Sequence, residues 1–411
     1  MYQKRGRNKK DIRRKKHILV ISQYFYPEQF RINDICAEWV KRGYDVTVIT
    51  GIPNYPEGRF FDGYGLRKRR RETYKGIQII RLPLIPRGKG SAMLALNYLS
   101  FVITGGMWSL MTRIRADYVF VFEVSPMTQA LPGVWFAKRR GIPCYLYVQD
   151  LWPDNVEIIT GIHSRAVLGP LDRMVHYIYR RCSRIFVTSE SFRKLLIARR
   201  VPEKKVIYWP QYAEDFYCPI EKERTEEKND FTVIFTGNIG FAQGLEILPK
   251  TAALLKEANV GFLMVGDGRY REKLEEEIRQ KGVSGQFTFT GRVAPEEVPG
   301  YLSKADAAFI SFMESPLFEK TIPAKLQSYM ACGMPILAAA AGETERIVKE
   351  AACGLCSPLG DAGRLAENVL KMKNEDTEKM GRNAALYSRE HFNKNILLNQ
   401  MDGYFGRKKH V

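Results

Sequence analysis

The chain has 411 residues, too many for one ordinary hydrophobic core, so two domains are expected. Hydrophobic residues at 45% and charged residues at 27% exclude the disordered class. A formal net charge of +19 directs the chain toward anionic partners: a phosphate-rich ligand, a nucleic acid or an acidic lipid headgroup.

MYQKRGRNKKDIRRKK, residues 1–16, is a basic arm with no apolar core and cleavage site behind it, so no signal peptide is expected. HILVISQYF, from His17, reads as a buried strand. INDICAEWVKRG reads as a helix with Ile35, Trp39 and Val40 on one side and Gly43 at its end, and YDVTVITG reads as a second strand. RKRRR at 67–71 is a second basic cluster; each cluster taken alone reads as solvated surface. SAMLALNYLSFVITGGMWSLM, residues 91–111, is uncharged for about the length of a spanning helix. Asn97, Ser100, Thr104 and Gly105-Gly106 interrupt it and argue against a span. Two readings stand level: a helix on a membrane surface, helped by Arg113, Arg115 and the basic clusters, or an internal helix packed on a sheet.

IQIIRLP, DYVFVFEV, PCYLYVQD and SRIFVTSE are further short apolar runs separated by helical stretches, the mark of βαβ units and a mostly parallel sheet. A proline-bearing, charged connector occupies residues 202–230, and the alternation then restarts from FTVIFTGN through PILAAA. From about Arg364 the tail reads as helices. The seven scattered cysteines read as reduced thiols; Cys353 and Cys356 form a C-x-x-C with no second pair to complete a metal site.

Three stretches carry candidate chemistry. VGDGR, 265–269, and FTGNIGFAQGLE, 235–246, each join a strand to a helix through glycines. Such loops offer amide N–H groups to a phosphate, and they also serve as plain strand-to-helix turns. In TIPAKLQSYMACGMPILAA, 321–339, a helix is expected between Pro323 and Gly333, with Leu326, Tyr329 and Met330 toward the core. Lys325 and Ser328 share a neighbouring face. A cation in a first turn opposes the helix dipole at a cost of roughly 0.3 to 1 kcal/mol, and a bound anion reverses that cost. A lysine pointing to water is the alternative.

In this order ILVISQYFYPEQFRIND, WVKRGYDVTVITGIPNYPEG, YVQDLWPD, VTSESF, FTGNIGFAQGLE, VGDG, FTGRV and PAKLQSYMACGMPI resemble the family-4 retaining glycosyltransferases of the GT-B fold. The resemblance covers nearly the whole chain and is nearest to bacterial enzymes that build O-antigen, capsule or exopolysaccharide, including L-fucosamine transferase-like ones. It implies an α/β protein of two doubly wound Rossmann-like domains facing a central cleft. Residues 1–205 would bind acceptor, 206–385 would bind a nucleotide sugar, and a helix in 386–411 would pack back on the first domain.

Position by position, the resemblance assigns the donor to Gly237, Asn238, Gln243, Gly266, Arg292, Glu319, Lys320, Lys325 and Ser328. Asn238 and Gln243 stand where the family has Arg and Lys on the diphosphate, so Lys325 takes the phosphate charge. The family's Glu-x7-Glu pair falls on Lys320 and Ser328, with Glu319 one residue off register. Gln149, in the place of the family's His, and Asp150 join Lys325 as the catalytic set. Glu28, Arg31 and Asn33 are the acceptor candidates, while Asn33 and Asp34 read equally well as helix caps.

The implied chemistry is a retaining transfer without a protein nucleophile, in which the leaving diphosphate accepts the acceptor's proton. No Asp-x-Asp stands at a strand end, so neither metal nor cofactor is expected beyond the UDP-sugar donor. The expected enzyme is cytoplasmic and peripheral at the inner face of an anionic membrane. It moves an N-acetylhexosamine or deoxy derivative to a lipid-diphosphate-linked saccharide and binds no nucleic acid. Two rivals remain. A UDP-sugar 2-epimerase needs acid/base carboxylates and histidines in the cleft, but His17, His163, His176, His391 and His410 lie in no recognised motif. A nucleic-acid binder lacks a groove-reading helix motif and RNP-like aromatics.

Overall fold

A computed structural model describes residues 14–88, 90–161, 163–221 and 230–406. Most of the basic arm, 1–13, part of the charged connector, 222–229, and residues 407–411 lie outside the described residues. The chain divides into two compact units, 1–186 and 187–411.

The first sheet runs β3-β4-β2-β1-β5-β6-β7-β8. Its strands are β1 His17–Ile21, β2 Asp45–Gly51, β3 Arg71–Tyr74, β4 Ile77–Leu82, β5 Tyr118–Glu123, β6 Cys144–Val148, β7 Arg184–Val187 and β8 Val206–Tyr208. β1 pairs parallel with β2 and β5, β2 with β4, and β5 with β6. Their continuous apolar sequences follow from that position, since a strand covered by helices on both faces has no wet side. Ile18, Leu19, Val20 and Ile21 are all fully buried. The helix α1, Arg31–Lys41, makes the first crossover and buries Ile35 and Trp39. Strand order reverses between β1 and β5, the place where ligands of such sheets bind beyond the carboxyl ends. β3 escapes the sequence reading because RETY is a polar, two-sided edge; it pairs antiparallel with β4.

The second unit's six-stranded sheet runs β11-β10-β9-β12-β13-β14, and every pair is parallel. Its strands are β9 Phe231–Thr236, β10 Val260–Val265, β11 Phe287–Gly291, β12 Ala307–Ser311, β13 Ile336–Ala339 and β14 Gly354–Ser357. Separate apolar clusters cover its two faces, as a doubly wound sheet requires. β14 contains Cys356 of the C-x-x-C pair, and all seven cysteines are free.

The helix α2, Ser91–Met111, is arranged inside out. Its buried positions are Asn97, Phe101, Gly105 and Ser109, four residues apart. Leu96, Leu99, Ile103, Met107 and Leu110 form an exposed stripe, from 45% exposure at Leu96 to 68% at Leu110. Asn97 fixes this orientation: its Oδ1 accepts from Gln23 Nε2 at 2.7 Å and its Nδ2 donates to the Ile85 carbonyl at 2.6 Å. Buried amides must be paired, so the polar side is held inward and the apolar side is left outside. Among the described helices it alone has the length and apolarity to cross a membrane.

Candidate functional site

In the second unit, the loops that leave β9 and β10 are joined backbone to backbone. Gly237 N–H donates to the Val265 carbonyl at 2.8 Å, and Ile239 N–H to the Asp267 carbonyl at 2.9 Å. Gly266 has φ +140°, and a Cβ there would stand 1.9 Å from the Gly237 carbonyl oxygen, so only glycine permits this approach. Asn238 is exposed beside this junction.

The expected helix spans Ala324–Ala331, with Pro323 as its N-cap and Gly333 just past its end at φ +74°. Lys325 Nζ donates to Gln243 Oε1 and lies 3.9 Å from the centroid of the Phe235 ring. Burial pushes the Lys325 ammonium down to about 7. Among the described residues no carboxylate pairs with it. The arrangement is therefore a desolvated cation at a helix start, held by a neutral amide and a ring face, ready to be compensated by an anion.

A residue read from sequence only as core sets this geometry. The Tyr329 hydroxyl accepts from Thr236 N at 2.8 Å and lies 3.1 Å from Thr236 Oγ1, both buried. That bond ties the helix to the end of β9, and hence to the glycine loop.

Other donor candidates are turned elsewhere. Ser328 is buried and its hydroxyl donates to the Ala324 carbonyl of its own helix at 3.3 Å. Lys320 Nζ donates to the Pro316 carbonyl at 2.5 Å. Glu319 and Arg292 are exposed, Arg292 just past β11. The carbonyl of Glu319 packs so closely on Gly342 that a Cβ there would lie 2.0 Å away.

In the first unit, Gln149 and Asp150 follow β6, and Gln149 N–H donates to the Glu123 carbonyl at 2.8 Å. Asp150 Oδ2 accepts from Ser125 N at 2.7 Å. Ser125 Oγ in turn accepts from Trp152 Nε1 at 3.1 Å and Asn155 Nδ2 at 2.9 Å. Burial raises the Asp150 carboxyl, against the lowering effect of its Ser125 bonds. Glu123, at the end of β5, was not singled out in the sequence. It is fully buried, and its Oε1 has no partner among the described residues. Burial, then the nearby Asp150 carboxylate, push Glu123 well above the usual carboxylate range. Two carboxyls thus stand together at adjacent strand ends, with no cation paired to either among the described residues.

The acceptor candidates are largely occupied in holding a loop. Glu28 is buried; Oε1 accepts from Asn54 N at 2.9 Å and Tyr55 N at 2.8 Å, and Oε2 from Phe25 N at 3.2 Å. Burial raises its carboxyl to about 7, against those three N–H groups and Arg81. Asn33 lies inside α1 rather than at its cap: its Oδ1 accepts from Tyr26 N and its Nδ2 donates to the Glu28 carbonyl at 2.7 Å. Arg31 is half-buried at the first position of α1.

Comparison with known proteins places the chain. Residues 29–210 match the glycosyl transferase 4-like domain, and residues 219–390 match the glycosyl transferases group 1 family. The chain belongs to the group 1 glycosyltransferases. Over 346 residues this glycosyltransferase is 23% identical to WcaI of Escherichia coli K12, a chain named for colanic acid biosynthesis, covering 80% of this chain and 84% of that one. It is 27% identical to the alpha-monoglucosyldiacylglycerol synthase of Streptococcus pneumoniae, over 64% of this chain and 60% of that one. Among solved structures, sucrose-phosphate synthase from Thermosynechococcus elongatus aligns with TM-score 0.75 at 17% identity, over 95% of this chain and 98% of that one. Anabaena HepE with UDP and glucose aligns with TM-score 0.69 at 16% identity, over 95% and 99%. These likenesses establish the GT-B fold, two Rossmann-like domains with parallel sheets.

Proposed function

We propose that this glycosyltransferase is a retaining, metal-independent enzyme of bacterial cell-surface polysaccharide synthesis. It takes an N-acetylhexosamine or deoxy derivative from a UDP-sugar and delivers it to a lipid-diphosphate-linked saccharide. The observation that carries the donor half is Lys325: a half-buried ammonium at a helix start, with a neutral amide as its partner and, among the described residues, no carboxylate. A diphosphate supplies the missing charge and meets the free N–H groups of the helix. Gly237, Asn238, Gln243 and Gly266 form the loops beside it, and the exposed Glu319 and Arg292 are left to contact the donor, whereas Ser328 and Lys320 are held by the Ala324 and Pro316 carbonyls.

On this reading Gln149 hydrogen-bonds the donor sugar and Asp150 orients that end of β6. Glu28 and Asn33 shape the acceptor loop, and Arg31 meets the acceptor. The lipid-linked acceptor is supported by α2, whose apolar stripe is exposed and whose C-terminal end carries guanidinium groups. Arg139 and Arg140 both donate to the Thr112 carbonyl, next to Arg113 and Arg115. An apolar stripe rimmed by cations suits the surface of an anionic bilayer, so the enzyme sits peripherally at the inner face of the membrane.

A thermal-shift panel of sugar nucleotides tests the donor. UDP-sugars should raise the melting temperature, and Lys325→Ala should abolish the shift. A tight UDP-sugar whose binding ignores that substitution would remove the assignment.

A further inference from the structure

The loop between β4 and α2 carries Arg87, a guanidinium with no carboxylate partner among the described residues. Arg87 is half-buried, and its backbone N–H donates to Asn54 Oδ1 at 2.9 Å. Its Nη1 donates to the Tyr24 hydroxyl at 3.2 Å, and its guanidinium carbon lies 5.2 Å from the Tyr55 ring centroid. The buried Glu28 carboxylate accepts the N–H groups of Asn54 and Tyr55, the residues that position this arginine. Its oxygens are occupied by backbone, so it fixes Arg87 without neutralising it.

Arg81, six residues earlier, shows the contrast. It is fully buried and paired with the Glu72 carboxylate. Among the described residues no carboxylate pairs with Arg87. An arginine stays charged throughout the accessible pH range, and its planar fork matches phosphate oxygens in pairs. Stacking on Tyr55 leaves the edge of that fork, where the N–H donors lie, for a ligand.

The surroundings also fit a glycan with a lipid. Tyr24, which is buried, stacks with Phe30 at 5.3 Å, and Tyr55 lies 5.5 Å from each, so the exposed Tyr55 ring is backed by two aromatic neighbours and is the surface left to a sugar face. α2 begins four residues after Arg87 and exposes its apolar stripe.

We propose that Arg87 is the phosphate-reading residue of an acceptor subsite made by the first unit alone. It takes the diphosphate of the lipid-linked saccharide, with Tyr24 and Tyr55 holding the guanidinium in place. This rests on the lipid-diphosphate reading of the acceptor given above.

The test uses the full chain saturated with UDP, so that the diphosphate site of the second unit is filled, and titrates inorganic pyrophosphate by calorimetry. Arg87→Ala should weaken pyrophosphate by roughly 10- to 100-fold, the worth of a hydrogen bond to a charged group. Arg87→Lys should fall between, because an ammonium lacks the fork. Both variants should keep the wild-type melting temperature and UDP affinity, and both should sediment with phosphatidylglycerol vesicles as the wild type does. Unchanged pyrophosphate affinity in Arg87→Ala overturns the proposal. So does loss of vesicle binding with pyrophosphate binding intact, which assigns the residue to a phospholipid headgroup. Arg87-dependent pyrophosphate binding in an enzyme that transfers to no lipid-diphosphate saccharide keeps the anion subsite and overturns the acceptor reading alone.

Discussion

Lys325 and Gln243 are 82 residues apart in sequence, and the ammonium of the first donates to the side-chain carbonyl of the second. The amide stands in a turn, Phe241–Gln243, that leaves the β9 loop, and the ammonium in the first turn of the helix Ala324–Ala331. Neither partner supplies a negative charge, so an incoming anion meets a half-buried ammonium with no carboxylate partner among the described residues.

That state gives donor binding a pH dependence. Burial holds Lys325 at about 7, below its ordinary value, because it disfavours the charged form. A bound diphosphate favours that form and raises the value. Affinity for a UDP-sugar should therefore be level below about pH 7 and fall by about tenfold per unit above it, until the value of the complex is reached. Calorimetry between pH 6 and 9 checks this. Lys325→Met should bind weakly with a flat profile, and a flat wild-type profile would sink the idea.

Glu123 gives a stability test. Its folded value lies above its ordinary one of 4.5, so its contribution favours the fold at low pH and is lost as pH rises. Glu123→Gln removes the ionisation while keeping the shape. The variant should melt above the wild type at pH 8, and the advantage should vanish toward pH 4. A melting difference that does not vary with pH would show that the carboxyl is not held neutral.

Tyr329→Phe deletes only the hydroxyl that accepts from Thr236 N. A buried N–H left without an acceptor costs about 1 to 3 kcal/mol, measurable by urea unfolding. The same change frees the start of the Lys325 helix, so KM for the donor should rise more than kcat falls. Unaltered stability and KM would show that the bond positions nothing.

The exposed stripe of α2 predicts membrane recruitment. Ile103→Glu with Met107→Glu should release the protein from anionic vesicles by tenfold or more, since burying one large apolar side chain is worth about 1.5 to 3 kcal/mol. Melting temperature should hold, because both positions are about half exposed or more. Charge reversal of residues 67–71 should weaken sedimentation as well, through Arg67, Lys68 and Arg69, which are exposed. Sedimentation that ignores both changes would count against a bilayer surface.

The alternation of apolar runs was enough to show two doubly wound units, because strands covered on two faces leave continuous hydrophobic stretches in the chain, but the polar edge strand β3 and the three-residue β8, inside the 202–230 connector, left no such run. Lys325 could be flagged from its place in a first turn, since helix position is set by local sequence. What the linear order could not supply was any fact that depends on which strand end stands beside which. Glu123 ends an ordinary apolar run, and only the neighbouring strands bury it and bring Asp150 close. Tyr329 reads as core by spacing, and only the β9 terminus gives its hydroxyl a task. Arg87 lies in an unremarked loop, and its unpaired charge appears only once Glu28 is seen to be filled by backbone. The composition of α2 was plain in the chain, whereas which of its sides faces outward was decided by Asn97, whose amide has to be paired inside the fold.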